Sequence, residues 1–119
     1  MDFDQLIHAH VNWRFKIKDY LEGRGSSLDP STISKDTVCV MGRWIHGDGT
    51  KFSSFPEFGD LKLEHTLIHQ CAAVVVEKIT SGDLEAARAL TSVQSEFSTR
   101  SSNIVNAVMR LKFAVEKAI

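Results

Sequence analysis

His65 and His69 stand four residues apart. On a helix that spacing puts both imidazoles on one face, one turn from each other, where they can share a metal ion. Both fall on an apolar stripe, and two neutral imidazoles in a core need partners that a shared metal would supply. The competing reading is a hydrogen-bonded pair without metal. His10 is a third candidate donor, on the apolar stripe of the first helix three residues before Trp13. Cys39 is the fourth. A free cysteine is usually a small buried hydrophobe. At the start of a short helix it would instead sit where the helix N-terminus favours the thiolate that zinc requires. Three imidazoles and one thiolate complete a tetrahedral zinc set and are too soft a mixture for calcium or magnesium. Donor type alone leaves cobalt, nickel and copper open, and no zinc-finger or Cys-x-x-Cys spacing is present.

Other polar residues fit this site less well. His8 lies about 200° round the helix from His10 and should face solvent. His46, beside Gly47-Asp48-Gly49, reads as a loop histidine. Cys71 lies about 200° from His69 and should miss the metal, as a buried or interface thiol. Glu64 points about 100° away from His65, a poor position for a general base. Trp13 and Trp44 are expected to wall the site, and Gly42 to allow close helix packing, since glycine inside a helix otherwise costs about 1 kcal/mol. Arg14 and Arg43 read as surface residues or as hydrogen-bond donors around the site. Arg110, Lys112 and Lys117 suit a solvated face near a helix C-terminus.

The elements that position these residues follow from periodicity. Asp2 and Gln5 have capping-box spacing at the start of a first helix. Phe3, Leu6, Ile7, His10, Trp13, Ile17, Tyr20 and Leu21 then keep helical spacing up to the breakers from Gly23 to Ser27. Leu28 to Ser34 reads as loop or a short turn. Asp36-Thr37 is expected to cap a short helix through Val38, Val40, Met41, Trp44 and Ile45 that ends at Gly47-Asp48-Gly49. A third helix runs from Pro56 or Glu57 to Thr80, burying Phe58, Leu61, His65, Ile68, Ala72, Val75, Val76 and Ile79. Ser81-Gly82-Asp83 stops it and starts the next. Leu84, Ala87, Leu90, Val93, Phe97, Ile104, Val108, Leu111 and Val115 then predict one last helix, about 50 Å long. Ser95 to Asn103 lowers helix propensity within it, where a kink would fall. The fold class is all-α: an antiparallel four-helix bundle with three long helices and one short helix carrying the cysteine. At 119 residues the chain is expected to form a single domain.

Composition narrows the function classes. Fourteen basic and fifteen acidic side chains leave a formal charge of −1, which argues against a nucleic-acid partner. The longest apolar run, Cys71 to Val76, is six residues, against the roughly 18 needed to cross a bilayer, so membrane insertion is not expected. The start Met-Asp-Phe-Asp lacks the basic stretch of a signal peptide. The expected location is cytoplasmic, with Cys39 and Cys71 as reduced thiols.

Three segments together resemble the chemoreceptor zinc-binding (CZB) domain family. His10-Val11-Asn12-Trp13-Arg14 is similar to its His-x-x-Trp-Arg/Lys element, Cys39-Val40-Met41-Gly42-Arg43-Trp44 to its Cys-x-Leu-Gly-x-Trp element, and His65-Thr66-Leu67-Ile68-His69 to its His-x-x-x-His element. Order and separation agree as well. Met41 replaces the usual Leu, and His46 stands where an aromatic or apolar residue is more typical. The resemblance implies a four-helix bundle holding one zinc through His10, Cys39, His65 and His69. It also implies attachment to, or partnership with, a bacterial chemoreceptor or diguanylate cyclase.

The function expected from this is a zinc-responsive sensory domain without catalysis, since four protein ligands leave no position for a substrate water. It would signal to an effector, across a homodimer. Oxidation of Cys39 would remove one ligand and make the same site oxidant-sensitive. A purely structural zinc is the blander reading. A haemerythrin-like di-iron centre is the enzyme or carrier alternative, disfavoured because carboxylates are sparse on the buried stripes and no Glu-x-x-His occurs.

Overall fold

The computed structural model describes residues 2–119. Three long helices form the frame: α1 (Phe3–Leu21), α4 (Pro56–Thr80) and α6 (Glu96–Ala118). Three short ones, α2 (Pro30–Ile33), α3 (Val40–His46) and α5 (Leu84–Leu90), lie between them. A 3₁₀ turn spans Asp48–Phe52. Among the described residues there is no strand, so the all-α expectation holds.

Local chemistry sets the boundaries. The Asp2 carboxylate accepts from the Gln5 amide at 2.7 Å while the Gln5 side chain accepts from the Asp2 amide at 2.9 Å, closing the capping box in front of α1. Pro56 begins α4 as its first residue, where its missing N–H is not needed. Gly82, at φ 87°, turns the chain out of α4, and Asp83 caps α5 by accepting from the Ala86 amide. The short helix α3 starts two to three residues later than its polar residues predict: its N-cap is Cys39, not Asp36 or Thr37.

The expected last helix is interrupted. Thr91 donates its hydroxyl to the Ala87 carbonyl, and Ser95 caps a new helix by accepting from the Ser98 amide. These hydroxyls offer the backbone local partners in place of helical ones. The break removes Val93 from any buried stripe and leaves it 92% exposed, and Leu84 and Leu90 also face solvent. Of the expected positions beyond the break, Phe97, Ile104, Val108 and Leu111 are buried, and Val115 near the C-terminus is only partly so. Leu28 to Ser34, read as a loop or turn, contains the single turn α2.

Cross-helix pairs give the directions. Lys112 meets Asp4, and Ser101 meets His10, so α6 runs antiparallel to α1. Arg100 meets Glu64, and Glu96 meets Cys71, so α6 is antiparallel to α4 as well. Helices α1 and α4 therefore point the same way. The core along their shared seam holds Leu6, Ile17, Leu61, Ile68, Val75, Ile104 and Leu111. The segment from α2 to α3 crosses α4 near its midpoint, at His65 and His69.

Candidate metal centre

His65 and His69 rise one above the other on α4, both buried, with ring centroids 4.5 Å apart. Their Nε2 atoms are 3.2 Å apart. Cys39 brings Sγ to 3.1 Å from Nε2 of His65 and 3.4 Å from Nε2 of His69. A tetrahedral zinc with bonds of about 2.0–2.1 Å to nitrogen and about 2.3 Å to sulfur separates two nitrogens by about 3.3 Å and a sulfur–nitrogen pair by about 3.5 Å. The triangle of Cys39, His65 and His69 fits one face of that tetrahedron within a few tenths of an ångström.

The peptide between α2 and α3 straps these donors in place. The Nδ1–H of His69 donates to the Ile33 carbonyl at 2.7 Å, which fixes the tautomer and leaves the Nε2 lone pair facing the cysteine. Thr66, next to His65, donates its hydroxyl to the Asp36 carboxylate at 2.6 Å. Gly42 lets α3 close on this strap. A Cβ there would stand 1.8 Å from the Asp36 carbonyl oxygen and 3.2 Å from a ring carbon of His65. The Gly42 amide donates to Cys39 Sγ at 3.2 Å.

His10 is also buried, but it lies outside the group whose donor atoms fall within 4.8 Å of one another. It lines a cavity of about 510 Å³ together with Trp13, Cys39, Met41, His65 and His69. Its Nε2 is 2.8 Å from Ser101 Oγ, which also accepts from Arg14 Nη1 at 3.0 Å. Thus three of the four expected donors come together, and the fourth faces the same cavity from α1.

Electrostatics keep the imidazoles in the ligating form. Burial pushes His65 down to about 3, helped by His69 and opposed by Asp36. Burial, then the Arg14 charge, pushes His10 down to about 4. Burial also lowers His69, against the Ile33 carbonyl and Asp36. All three are neutral at pH 7. For Cys39 the helix-start amides of Gly42 and Met41 act in the expected direction, but burial outweighs them and raises the thiol above its ordinary value. The expected lowering is therefore reversed, and a metal must displace a proton to bind the sulfur. His65 Nδ1 is buried without a partner.

Surrounding residues divide. Trp13 walls the site, its ring 4.7 Å from that of His69 and 5.8 Å from that of His10. Trp44 does not: it packs in an aromatic group with Phe3, Phe52 and Phe58. His8 and His46 are exposed. Cys71 donates to Glu96 at 2.8 Å, and Glu64 is held by Arg100 and Asn103, so neither serves the centre. The Ile33 carbonyl, Asp36, Thr66 and Ser101 were not anticipated. A backbone carbonyl has no side-chain signature, and Asp36 reads equally well as a helix cap.

An all-helical bundle that gathers a half-buried cysteine and two buried histidines in this way has the donor set of a metal-binding helical domain. The chain belongs to the chemoreceptor zinc-binding domain family, whose pattern matches residues 10–76, more than half of its length. The match contains all four candidate donors and ends within α4. No curated protein and no solved structure matches the chain. Among the described residues, no helix is long and apolar enough to cross a membrane.

Proposed function

We propose that this chain is a zinc-responsive regulatory domain that holds one zinc ion through His10, Cys39, His65 and His69 and does no catalysis. The observation that carries the reading is the spacing of Cys39 Sγ and the two Nε2 atoms, which matches a tetrahedral face before any metal is added. The softness of the donors favours zinc over magnesium or calcium. His10 completes the set through Nδ1, since Nε2 is engaged by Ser101. With four protein donors no position is left for a substrate water.

Three donors stand ready and the fourth stands back. Zinc therefore draws α1 towards the strap and α4, and its loss releases α1. This is a two-state element whose balance a ligand can bias. An effector, a chemoreceptor or a diguanylate cyclase, reads the change across a homodimer in the cytoplasm. Two-electron oxidation of Cys39 by a peroxide to the sulfenic acid would take away one donor and give the same output as zinc loss.

Metal content by native mass spectrometry, on protein purified without immobilised metal, tests the site. The expected result is one zinc per chain, absent from the His65→Ala, His69→Ala double variant. Zinc retained by that variant would overturn the assignment. Competition against chelators of graded affinity separates sensing from structure: zinc too tight ever to exchange would leave only a structural role.

A further inference from the structure

On the other side of His10 lies a second cavity, of about 560 Å³, between α1, α5 and the first turns of α6. His10 is the one residue that lines both cavities. The size falls within the range of small-molecule sites. Five of the thirteen lining residues, Arg88, Phe97 and Ser101 among them, lie beyond the residues that the family pattern matches.

Its lining is apolar with a cationic margin. Ile17, Leu21, Phe97 and Val105 provide the apolar part. Arg14, Lys18 and Arg88 stand around it, against one acid, Glu22, which is already paired with Arg24. None of the three cations has an acidic partner within salt-bridge distance among the described residues. In a chain of net charge −1 this is a local excess of positive charge. Arg14 is the inner cation. It is half-buried, with its guanidinium 5.5 Å from the centre of the Phe97 ring and one N–H on Ser101. A guanidinium partly removed from water without a counter-ion is unfavourable, and a bound anion relieves that cost. Its planar fork suits a carboxylate, which it can hold through two parallel hydrogen bonds.

We propose that this cavity binds a medium-chain aliphatic monocarboxylate. The alkyl chain lies against Phe97, Ile17 and Leu21. The carboxylate meets Arg14, with Lys18 and Arg88 at the exposed mouth. The apolar lining distinguishes this ligand from inorganic phosphate, and the cations distinguish it from a neutral alcohol of the same length. The proposal does not depend on the metal reading.

Calorimetric titration of the full chain with octanoate, octan-1-ol and inorganic phosphate tests it. Octanoate is expected to bind one to one, with octanol and phosphate each at least about tenfold weaker. The Lys18→Glu, Arg88→Glu double variant changes two exposed side chains and should keep its helical circular dichroism while losing about tenfold in octanoate affinity. Equal binding of octanoate and octanol, or of octanoate and phosphate, would overturn the proposal. So would unchanged octanoate affinity in the charge-reversed protein, which is the result expected if the carboxylate sat on a metal instead.

Discussion

Ser101 on α6 holds His10 on α1: its Oγ lies 2.8 Å from His10 Nε2 and accepts a bond from Arg14. Both His10 and Ser101 are nearly inaccessible to solvent. An imidazole that binds a metal through one nitrogen commonly donates its other N–H to an oxygen, and losing such an outer partner costs about 10–100-fold in metal affinity. Ser101 is placed to be that oxygen. Ser101→Ala should therefore weaken zinc binding about tenfold, read by competition with a chromophoric chelator. Tighter binding would show the reverse, that Ser101 withholds His10 from the metal.

The two cysteines should behave differently. Cys39 Sγ lies within 3.4 Å of both imidazoles, whereas Cys71 is tied to Glu96 and pushed up to about 11, by burial first and then by that carboxylate. Cys39→Ser should cost more zinc affinity than the roughly 100-fold upper range for an outer partner. Cys71→Ser should leave it unchanged. Peroxide should release zinc from the Cys71→Ser protein as from the wild type. Release that depends on Cys71 instead would move the redox chemistry away from the metal centre.

Much of this arrangement was readable from side-chain spacing. The stripe on α4 was right at every position from Phe58 to Ile79, because a 25-residue helix buried along one face repeats its signal many times. The metal face was readable for the same reason: His65 and His69 share that stripe, and Cys39 begins the short helix before it. The break at Thr91 was not. Leu90 and Val93 stay in phase with Phe97, so periodicity carried the helix straight across residues whose hydroxyls turn the backbone aside. The strap was hidden too, since its closest hold on the site is the Ile33 carbonyl, a group that every residue carries. Trp44 was misplaced because its neighbours Phe3, Phe52 and Phe58 gather only in the folded chain.

Gly42 links the strap to the metal face. A methyl group there meets the Asp36 carbonyl oxygen, a backbone atom that cannot swing away, at 1.8 Å. Gly42→Ala must then push α3 off the strap and carry Cys39 from the two histidines. The expected loss is about 3 kcal/mol of stability, at the upper end of overpacking, with zinc binding reduced further. Chemical denaturation with and without zinc separates the two effects. If the variant were as stable as the wild type, the close approach of α3 to the strap would be wrong.

Acid should unfold the metal-free protein, and the sign follows from the buried imidazoles. In the unfolded chain each histidine titrates near 6.5, whereas in the folded chain burial, with Arg14 second, pushes His10 down to about 4, and burial, with His69 second, pushes His65 down to about 3. Below pH 6.5 the unfolded chain takes up protons that the folded chain refuses, so stability falls as pH falls and levels off only below the folded values. For His10 alone the loss is roughly 3 kcal/mol once the pH is below both values. On the alkaline side the sign is opposite. Cys39 is raised above its ordinary 9.0, so its contribution is intact below that value and is lost as the pH climbs through the folded one. The metal-free chain should therefore be most stable between about pH 7 and 9, with urea midpoints falling on both sides. A flat profile from pH 7 to pH 4.5 would mean that the imidazoles are charged or solvated in the folded chain. They could not then form the dry face that Cys39, His65 and His69 offer to a metal.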